Sequence, residues 1–259
     1  MKKIFKFQLK DLLLSCSIYA SIMLLLTITA GCVTVAFQHE DIYITVAGNG
    51  FASAIFCLAV GIGMYKEHCQ MAVMNSVSRK DFFKSLLCIA VIMSLICTLI
   101  DLLLQLLNML PVLNPVYGSD FTNNFDILKI LKTFYPGFFV NQSAAVIAAA
   151  GFLMEFLIDG ILFITGVLFA GIYCRIPKKY RTAYCIALPV FGCGFLPTLF
   201  VAIIGRFFYP PFIRQLINAF RSIMGIPDSN PFLGALTFAA VSIIIASICY
   251  AMLRRTEIN

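Results

Sequence analysis

Three carboxylates stand inside long apolar runs of this sequence, and they are the residues most able to do chemistry. Asp101, Gln105 and Asn108 follow one another at steps of four and three residues, while Glu155 and Asp159 are four residues apart. On a helix, each of these two groups shares one face. A charged side chain at the centre of a membrane helix costs about 2.5–3.5 kcal/mol on insertion scales, so such residues need a reason to be there.

Two interpretations of these polar residues stay open. They could line an electronegative translocation path or cavity between protomers, which would receive a cationic or amphipathic solute. They could instead be neutral acids that hydrogen-bond between helices and hold a bundle together. No lysine or arginine is buried near them in the sequence, and Asp101 is expected toward the outer end of its helix, where water reaches it.

The apolar runs around these residues indicate a helical membrane protein. The chain has 259 residues, of which 61% are hydrophobic and 12% charged, and several runs reach the roughly 20 apolar residues that a spanning helix needs. The runs do not alternate as barrel strands would. We therefore predict an all-α membrane protein with a single transmembrane domain, 1–259. Its six predicted spans are residues 12–37, 42–65, 82–110, 144–174, 182–204 and 231–253.

Lysine and arginine set the predicted orientation. Most of the 19 lie in the N-terminal arm, the 66–84 insert, the 175–181 loop and the C-terminal tail, so these segments are expected to be cytoplasmic. Both termini then lie inside, which agrees with six spans. Residues 1–10 are predicted to form an amphipathic elbow helix at the membrane interface, with lysines at four-residue spacing.

Two further amphipathic segments are expected on the outer side. Asp126–Phe134 alternates apolar residues with Lys129 and Lys132 and is expected to lie along the interface. Phe212–Ile226 is expected to form a helix between spans five and six.

The polar insert from Tyr65 to Ser85 separates two apolar runs. Met71, Met74 and Val77 recur at helix-like spacing, which predicts a short cytoplasmic helix. Ser78 and Asp81 then have the spacing of a capping box, in which a hydroxyl and a carboxylate three residues later satisfy the first amides of a helix. The insert therefore predicts a short helix, a tight break, and a new membrane helix that starts near Arg79.

Other chemistries find little support in the residue patterns. The ten cysteines fall in apolar runs or at basic loops, which favours free thiols, and no spacing of cysteines and histidines suggests a metal site. His39 and His68 belong to opposite membrane faces, and each is expected to be solvated. The basic residues flank apolar runs, so nucleic acid is not an expected partner. The chain has no G-x-x-x-x-G-K-[ST] for ATP, and no H-E-x-x-H or G-x-S-x-G for hydrolysis.

The insert carries a resemblance to a known family. The stretch E-x-x-x-M-x-x-M-x-x-V-S-R-K, from Glu67 to Lys80, resembles the coupling segment of ABC-2-type transporter permeases. The predicted elbow helix, six spans, short second cytoplasmic loop and outer helical segment extend the resemblance over nearly the whole chain. Small permeases of this kind in Gram-positive bacteria handle antimicrobial peptides or other amphiphiles. The outer connection 111–143 is longer than expected for such a permease.

The resemblance implies partners and site residues. It implies an ABC ATPase that binds Mg-ATP, a second permease protomer (identical or sister) and a bacterial cell membrane, with no cofactor in this chain and no enzyme activity of its own. A membrane sensor or immunity protein that binds a peptide without pumping is an alternative, and an intramembrane hydrolase is a further one. The residues that this resemblance would place against the ATPase are Glu67, His68, Met71, Met74, Asn75, Val77, Ser78, Arg79, Lys178 and Lys179.

Overall fold

All regular elements in the described part of the chain are helices. The structure, a computed structural model, describes residues 2–36, 49–75, 77–108, 126–181, 183–184 and 211–254. The elements are α1 (Lys2–Ala36), α2 (Asn49–Met74), α3 (Arg79–Asn108), α4 (Asp126–Phe134), α5 (Pro136–Asn141), α6 (Ala144–Arg175), a 3-10 turn (Lys178–Tyr180), α7 (Pro211–Ile223) and α8 (Pro231–Arg254).

Four helices among the described residues are long and apolar enough to cross a membrane. They lie within α1, α3, α6 and α8, and α2 adds a shorter apolar stretch, Gly50–Tyr65. The predicted all-helical membrane class is confirmed, and spans one, three, four and six correspond to the four long helices. The start of the predicted second span, 42–48, and nearly all of the fifth, 182–204, lie outside the described residues. The count of six therefore stays a prediction.

Helix α6 lies at the centre of the bundle and packs against α2, α3 and α8. Its contact with α2 is closest at two glycines, because a Cβ built on Gly61 would lie well under 3.0 Å from the carbonyl oxygen of Phe163. A Cβ on Gly166 would meet the carbonyl of Leu58 in the same way. Small residues of this kind let two membrane helices approach backbone to backbone.

Basic residues gather at one end of the bundle, which we call the basic end. There Arg79, the first residue of α3, donates to the carbonyl oxygen of Arg254 at 2.8 Å. Arg175, the last residue of α6, donates to the carbonyl of Met252. The last carbonyls of a helix have no partner within the helix, so these two arginines fix the C-terminus of α8 to its neighbours.

The opposite end carries the two short helices α4 and α5. The segment Asp126–Phe134, which was expected to lie along the interface, forms a helix that turns Leu128 and Leu131 into the protein while Lys129 and Lys132 are exposed. Between the two helices, the Tyr135 hydroxyl donates to the carbonyl oxygen of Met224 at 2.8 Å. Burial raises the pKa of Tyr135, which therefore remains a neutral donor.

The segment before α8 is also helical, in agreement with the sequence. Phe212–Ile226 was predicted as a helix, and α7 runs from Pro211 to Ile223. It ends in a turn in which Gly225 has a φ of 70°, a conformation that favours glycine. Its position outside the cell stays a prediction.

The predicted elbow helix is not separate from the first span. Helix α1 runs without a break from Lys2 to Ala36, and one face of its first turns packs into the bundle. Gln8 is 1% exposed and accepts a hydrogen bond from the Ser85 hydroxyl on α3, while Leu12 is fully buried. Lys6 and Lys10 are exposed, as expected. The helix continues because lysine and glutamine are good helix formers, whatever their hydropathy.

Candidate functional site

A cluster of four polar side chains lies in the middle of the bundle, one from each of four helices. Asp159 on α6 accepts a hydrogen bond at Oδ1 from the Ser53 hydroxyl on α2, at 3.4 Å. Asp101 on α3 accepts one from the Tyr19 hydroxyl on α1, also at 3.4 Å. Both carboxyls and Ser53 are fully buried, and Tyr19 is 8% exposed. We call these four residues the central polar cluster.

The location of this cluster corrects two expectations. Asp101 was expected near water, but it is 0% exposed, because α1 and α6 cover this face of α3. The polar path was placed between protomers, whereas Asp101 and Asp159 lie inside the bundle of one chain and interact with each other electrostatically. Gln105, one turn beyond Asp101, is 2% exposed with both amide atoms buried and without a hydrogen-bond partner. The side chain of Asn108 lies outside the described part.

Glu155 and Asp159 line one pocket, as their spacing predicted. The pocket has a volume of about 520 Å³ and opens between α2, α4 and α6. We call it the acidic pocket. Its lining residues are Gly50, Phe51, Ala54, Ile127, Lys129, Ile130, Glu155, Ile158, Asp159 and Leu162.

The pocket also contains a basic residue, which the sequence analysis did not connect with it because the residue is distant in the chain. Lys129 on α4 lines the same space as Glu155, although 26 positions separate them in the chain. Glu155 also lies close to the backbone of α2, since a Cβ on Gly50 would be 3.0 Å from its Oε1. The pocket is thus mostly apolar, with two carboxyls and one ammonium. That combination suits an amphipathic ligand with a charged group.

Sulfur atoms adjoin the central polar cluster, and the sequence analysis did not foresee this. Cys57 on α2, Cys97 on α3 and Asp159 present their donor atoms within 4.8 Å of one another. Cys16 on α1 donates to the Met93 sulfur at 3.5 Å and interacts with the Cys97 thiol. We call these four sulfur residues the sulfur cluster. The sequence did contain a signal for this arrangement. Ser53 and Cys57 are four residues apart on α2, and Cys97 and Asp101 are four residues apart on α3, so each pair shares a helix face.

The predicted ATPase contact lies at the basic end, and only part of it is exposed. Met71 is 42% exposed and Met74, the last residue of α2, is 84% exposed. Asn75 is exposed and its side-chain amide donates to the Met71 carbonyl. The Asp81 amide donates to the Ser78 hydroxyl at 3.1 Å, so the predicted cap and the start of α3 at Arg79 are confirmed.

The short helix predicted before this break is not a separate element. Helix α2 continues from the apolar stretch through Tyr65 to Met74, because the polar residues after Tyr65 are compatible with a helix although not with hydrocarbon. The expected solvation of His68 is wrong. It is 3% exposed, its Nε2 lies 3.5 Å from Asp11 Oδ2, and its ring meets Phe7 edge-on. His68 therefore faces α1 and not a partner.

The remaining residues of the predicted contact have mixed positions. Val77 is half-buried and packs against the core, and Arg79 binds the end of α8. Lys179 is exposed near Tyr180, in the 3-10 turn after α6. The side chains of Glu67 and Lys178 lie outside the described part of the structure.

Four of the described helices are long and apolar enough to span a bilayer, which is consistent with a multi-pass helical membrane protein. Comparison of the chain with protein-family models, with curated proteins and with solved structures found no match.

Proposed function

We propose that this chain is the membrane-spanning subunit of an ABC transporter, which moves an amphipathic substrate (a peptide, a lipid or a drug-like molecule). ATP hydrolysis would take place in a separate ATPase that binds Mg-ATP. The observation that carries the proposal is the exposed apolar tip of α2, formed by Met71 and Met74 at the basic end. Methionine at an exposed helix end is suited to a protein contact, because its flexible side chain adapts to a partner's groove.

The surroundings of this tip support a mechanical contact. In the sequence the tip is followed closely by Arg79, the first residue of α3, since α2 ends at Met74. Arg79 in turn holds the carbonyls of Leu253 and Arg254 at the end of α8. A force applied to the tip by an ATPase would reach α3 and α8 through these bonded groups. The resemblance of residues 67–80 to a permease coupling segment supports the same assignment.

The acidic pocket supports the substrate class. Its volume of about 520 Å³ is in the range of small-molecule sites, and its walls are mainly apolar. Glu155 and Asp159 offer carboxyls to a cationic group, and the apolar walls suit the rest of an amphiphile. A second permease protomer would complete the transporter, as the family resemblance implies.

We further propose a bacterial cell membrane with both termini in the cytoplasm. The clustering of lysines and arginines at one end of the bundle supports this orientation. Helix α6 ends at the basic end and α8 begins at the opposite one, which supports the predicted additional crossing between them.

Cysteine labelling tests this orientation. Single cysteines at the exposed positions Lys80, Lys179 and Val140, in a cysteine-free background, should behave differently in intact cells. A membrane-impermeant maleimide should label Val140→Cys and leave Lys80→Cys and Lys179→Cys unlabelled until the cells are opened. Labelling of Lys80→Cys or Lys179→Cys in intact cells would contradict the topology.

Replacing Met74 with aspartate tests the ATPase contact. The new carboxylate would be buried without a partner in the interface, and hot-spot side chains of this kind are worth about 2 kcal/mol or more. We expect Met74→Asp to reduce substrate-stimulated ATP hydrolysis and transport about tenfold or more, with insertion unchanged. Both rates are measured on the complex purified from its native membrane and reconstituted in liposomes.

Two variants serve as controls for Met74→Asp. Met74→Leu keeps an apolar side chain at the tip and should retain coupling. Val140→Asp adds the same charge to a residue that is 82% exposed at the opposite end of the bundle, and should leave ATP hydrolysis unchanged. Normal transport and stimulation in Met74→Asp would contradict the proposed contact.

Co-purification separates this proposal from the alternatives. A transporter subunit should bring an ATPase with it through mild detergent extraction, and mass spectrometry would identify that protein. A sensor or immunity protein, or an intramembrane hydrolase, would be purified without one. Absence of any ATPase in repeated extractions would contradict the transporter assignment.

A further inference from the structure

We propose that Cys57, Cys97 and Asp159 form a buried binding site for a thiophilic divalent cation, of which Zn²⁺ is the probe. The three residues come from α2, α3 and α6, so the site would join three helices of the bundle. It goes beyond the transport function proposed above and does not depend on it.

The distances suit a zinc ion. The two thiol sulfurs and one carboxyl oxygen all lie within 4.8 Å of one another. In a tetrahedral site with zinc–sulfur bonds of about 2.3 Å, the two sulfurs are about 3.8 Å apart. The two sulfurs therefore need to approach by no more than about 1 Å. Rotation of cysteine and aspartate side chains can supply such a movement without moving the helices.

An unsatisfied carboxyl oxygen supports a cation site at this position. Asp159 is fully buried, and while its Oδ1 accepts from Ser53, its Oδ2 has no hydrogen-bond partner. Buried polar atoms are normally satisfied, so the unpartnered oxygen of a carboxyl group that lies beside two thiols needs an explanation. A bound cation provides one.

The charge balance favours a divalent ion over a monovalent one. Metal binding removes the protons of the two thiols, and two thiolates neutralise one divalent cation. With the Asp159 carboxylate as third ligand, the unit carries one net negative charge for a divalent ion and two for a monovalent one such as Cu⁺, so the divalent ion is the less costly one to bury. Asp159 can then add an oxygen ligand, and it also lines the acidic pocket, which gives an ion a way in.

A second thiol pair must be removed before the test. Cys69 on α2 interacts with Cys174 on α6 near the basic end and could bind the same ions. The experiment therefore uses the full chain with Cys69→Ser and Cys174→Ser, purified in detergent and freed of metal by chelation. Zinc content per chain is measured by mass spectrometry after Zn²⁺ is added and excess is removed, and Co²⁺ replaces Zn²⁺ for spectroscopy.

We expect one Zn²⁺ per chain and, with Co²⁺, a thiolate-to-metal charge-transfer band in the near ultraviolet. Adding Cys57→Ser or Cys97→Ser should abolish the band, and Asp159→Asn should weaken Zn²⁺ binding about tenfold or more. Cys249→Ser is the matched control, because Cys249 is also a buried thiol but lies on α8 and bonds to the Ile164 carbonyl. It should leave the band unchanged.

A further measurement uses the background protein, the chain that carries only Cys69→Ser and Cys174→Ser, loaded with Zn²⁺. Its result does not depend on whether the variants at Cys57, Cys97 and Asp159 fold. X-ray absorption at the zinc edge should report two sulfur ligands at about 2.3 Å together with oxygen. A coordination shell of nitrogen and oxygen alone would overturn the proposal. So would a Co²⁺ band that persists when both Cys57 and Cys97 are replaced, or the absence of bound zinc in the background protein.

Discussion

Replacing Gly61 with alanine should destabilise the bundle more than most single substitutions in this chain. The added Cβ would lie well under 3.0 Å from the carbonyl oxygen of Phe163, a backbone atom that cannot rotate away. The two helices must then separate along their closest contact. Overpacked sites cost about 1–3 kcal/mol, and a backbone clash belongs at or above the upper value. Gly166→Ala meets the Leu58 carbonyl and should behave alike.

Gly63→Ala is the matched control for this prediction. Gly63 lies on the same helix two residues away, and a Cβ there has no atom within 4 Å. Alanine in a helix interior is favoured over glycine by about 0.5–1 kcal/mol, so Gly63→Ala should be neutral or slightly stabilising. Thermal unfolding in detergent, followed by loss of the monodisperse peak, compares the variants. Equal melting temperatures for Gly61→Ala and Gly63→Ala would refute the close α2–α6 contact.

Removing the charge capacity of the acidic pocket should impair the handling of cationic substrates. Replacing Glu155 with glutamine and Asp159 with asparagine keeps size and hydrogen-bonding groups but eliminates the carboxylates. If carboxylates attract the solute in this poorly hydrated pocket, the double variant should lose about tenfold in apparent affinity, which is about 1.4 kcal/mol. Transport of a cationic and a neutral amphiphile is compared in liposomes, with folded yield measured alongside.

The structural alternative gives a different pattern. If both acids are neutral and serve to hold helices together, the amide variant should transport normally, while Glu155→Ala with Asp159→Ala should lower the melting temperature. A silent amide variant with a destabilised alanine variant would exclude these residues from the substrate site. Lys129→Met adds a second comparison, since removal of this ammonium from the pocket should favour cations. Lys132→Met on the same helix, outside the pocket lining, should not.

The sequence predicted best what depends on local chemistry. Long apolar runs located α3, α6 and α8 and the end of α1 to within a few residues, and the Ser78 hydroxyl marked the start of α3 because a cap acts within one turn. These features need no knowledge of distant residues.

Features that depend on tertiary packing were missed. Hydropathy predicted helix breaks near Lys10 and Tyr65. A helix ends, however, where a capping or turn-forming residue stops it, and there is no such residue at either place, so α1 and α2 continue. His68 was expected in water because its partner, Asp11, lies on another helix. The sulfur cluster could not be assembled, since its members come from three spans whose relative rotation only packing decides. The presence of Lys129 in the acidic pocket was not predicted for the same reason.

The lengths of the spanning helices have a consequence for the surrounding lipid. Helix α6 has 32 residues and is about 48 Å long, whereas the hydrocarbon core of a bilayer is about 30 Å thick. A tilt of about 20° shortens its span by only a few ångströms, so roughly three turns must extend beyond the acyl chains. Gln8 and Ser85 bond to each other in the turns near the basic end. A thicker bilayer would submerge such polar turns, and a thinner one would leave more apolar side chains outside the acyl chains.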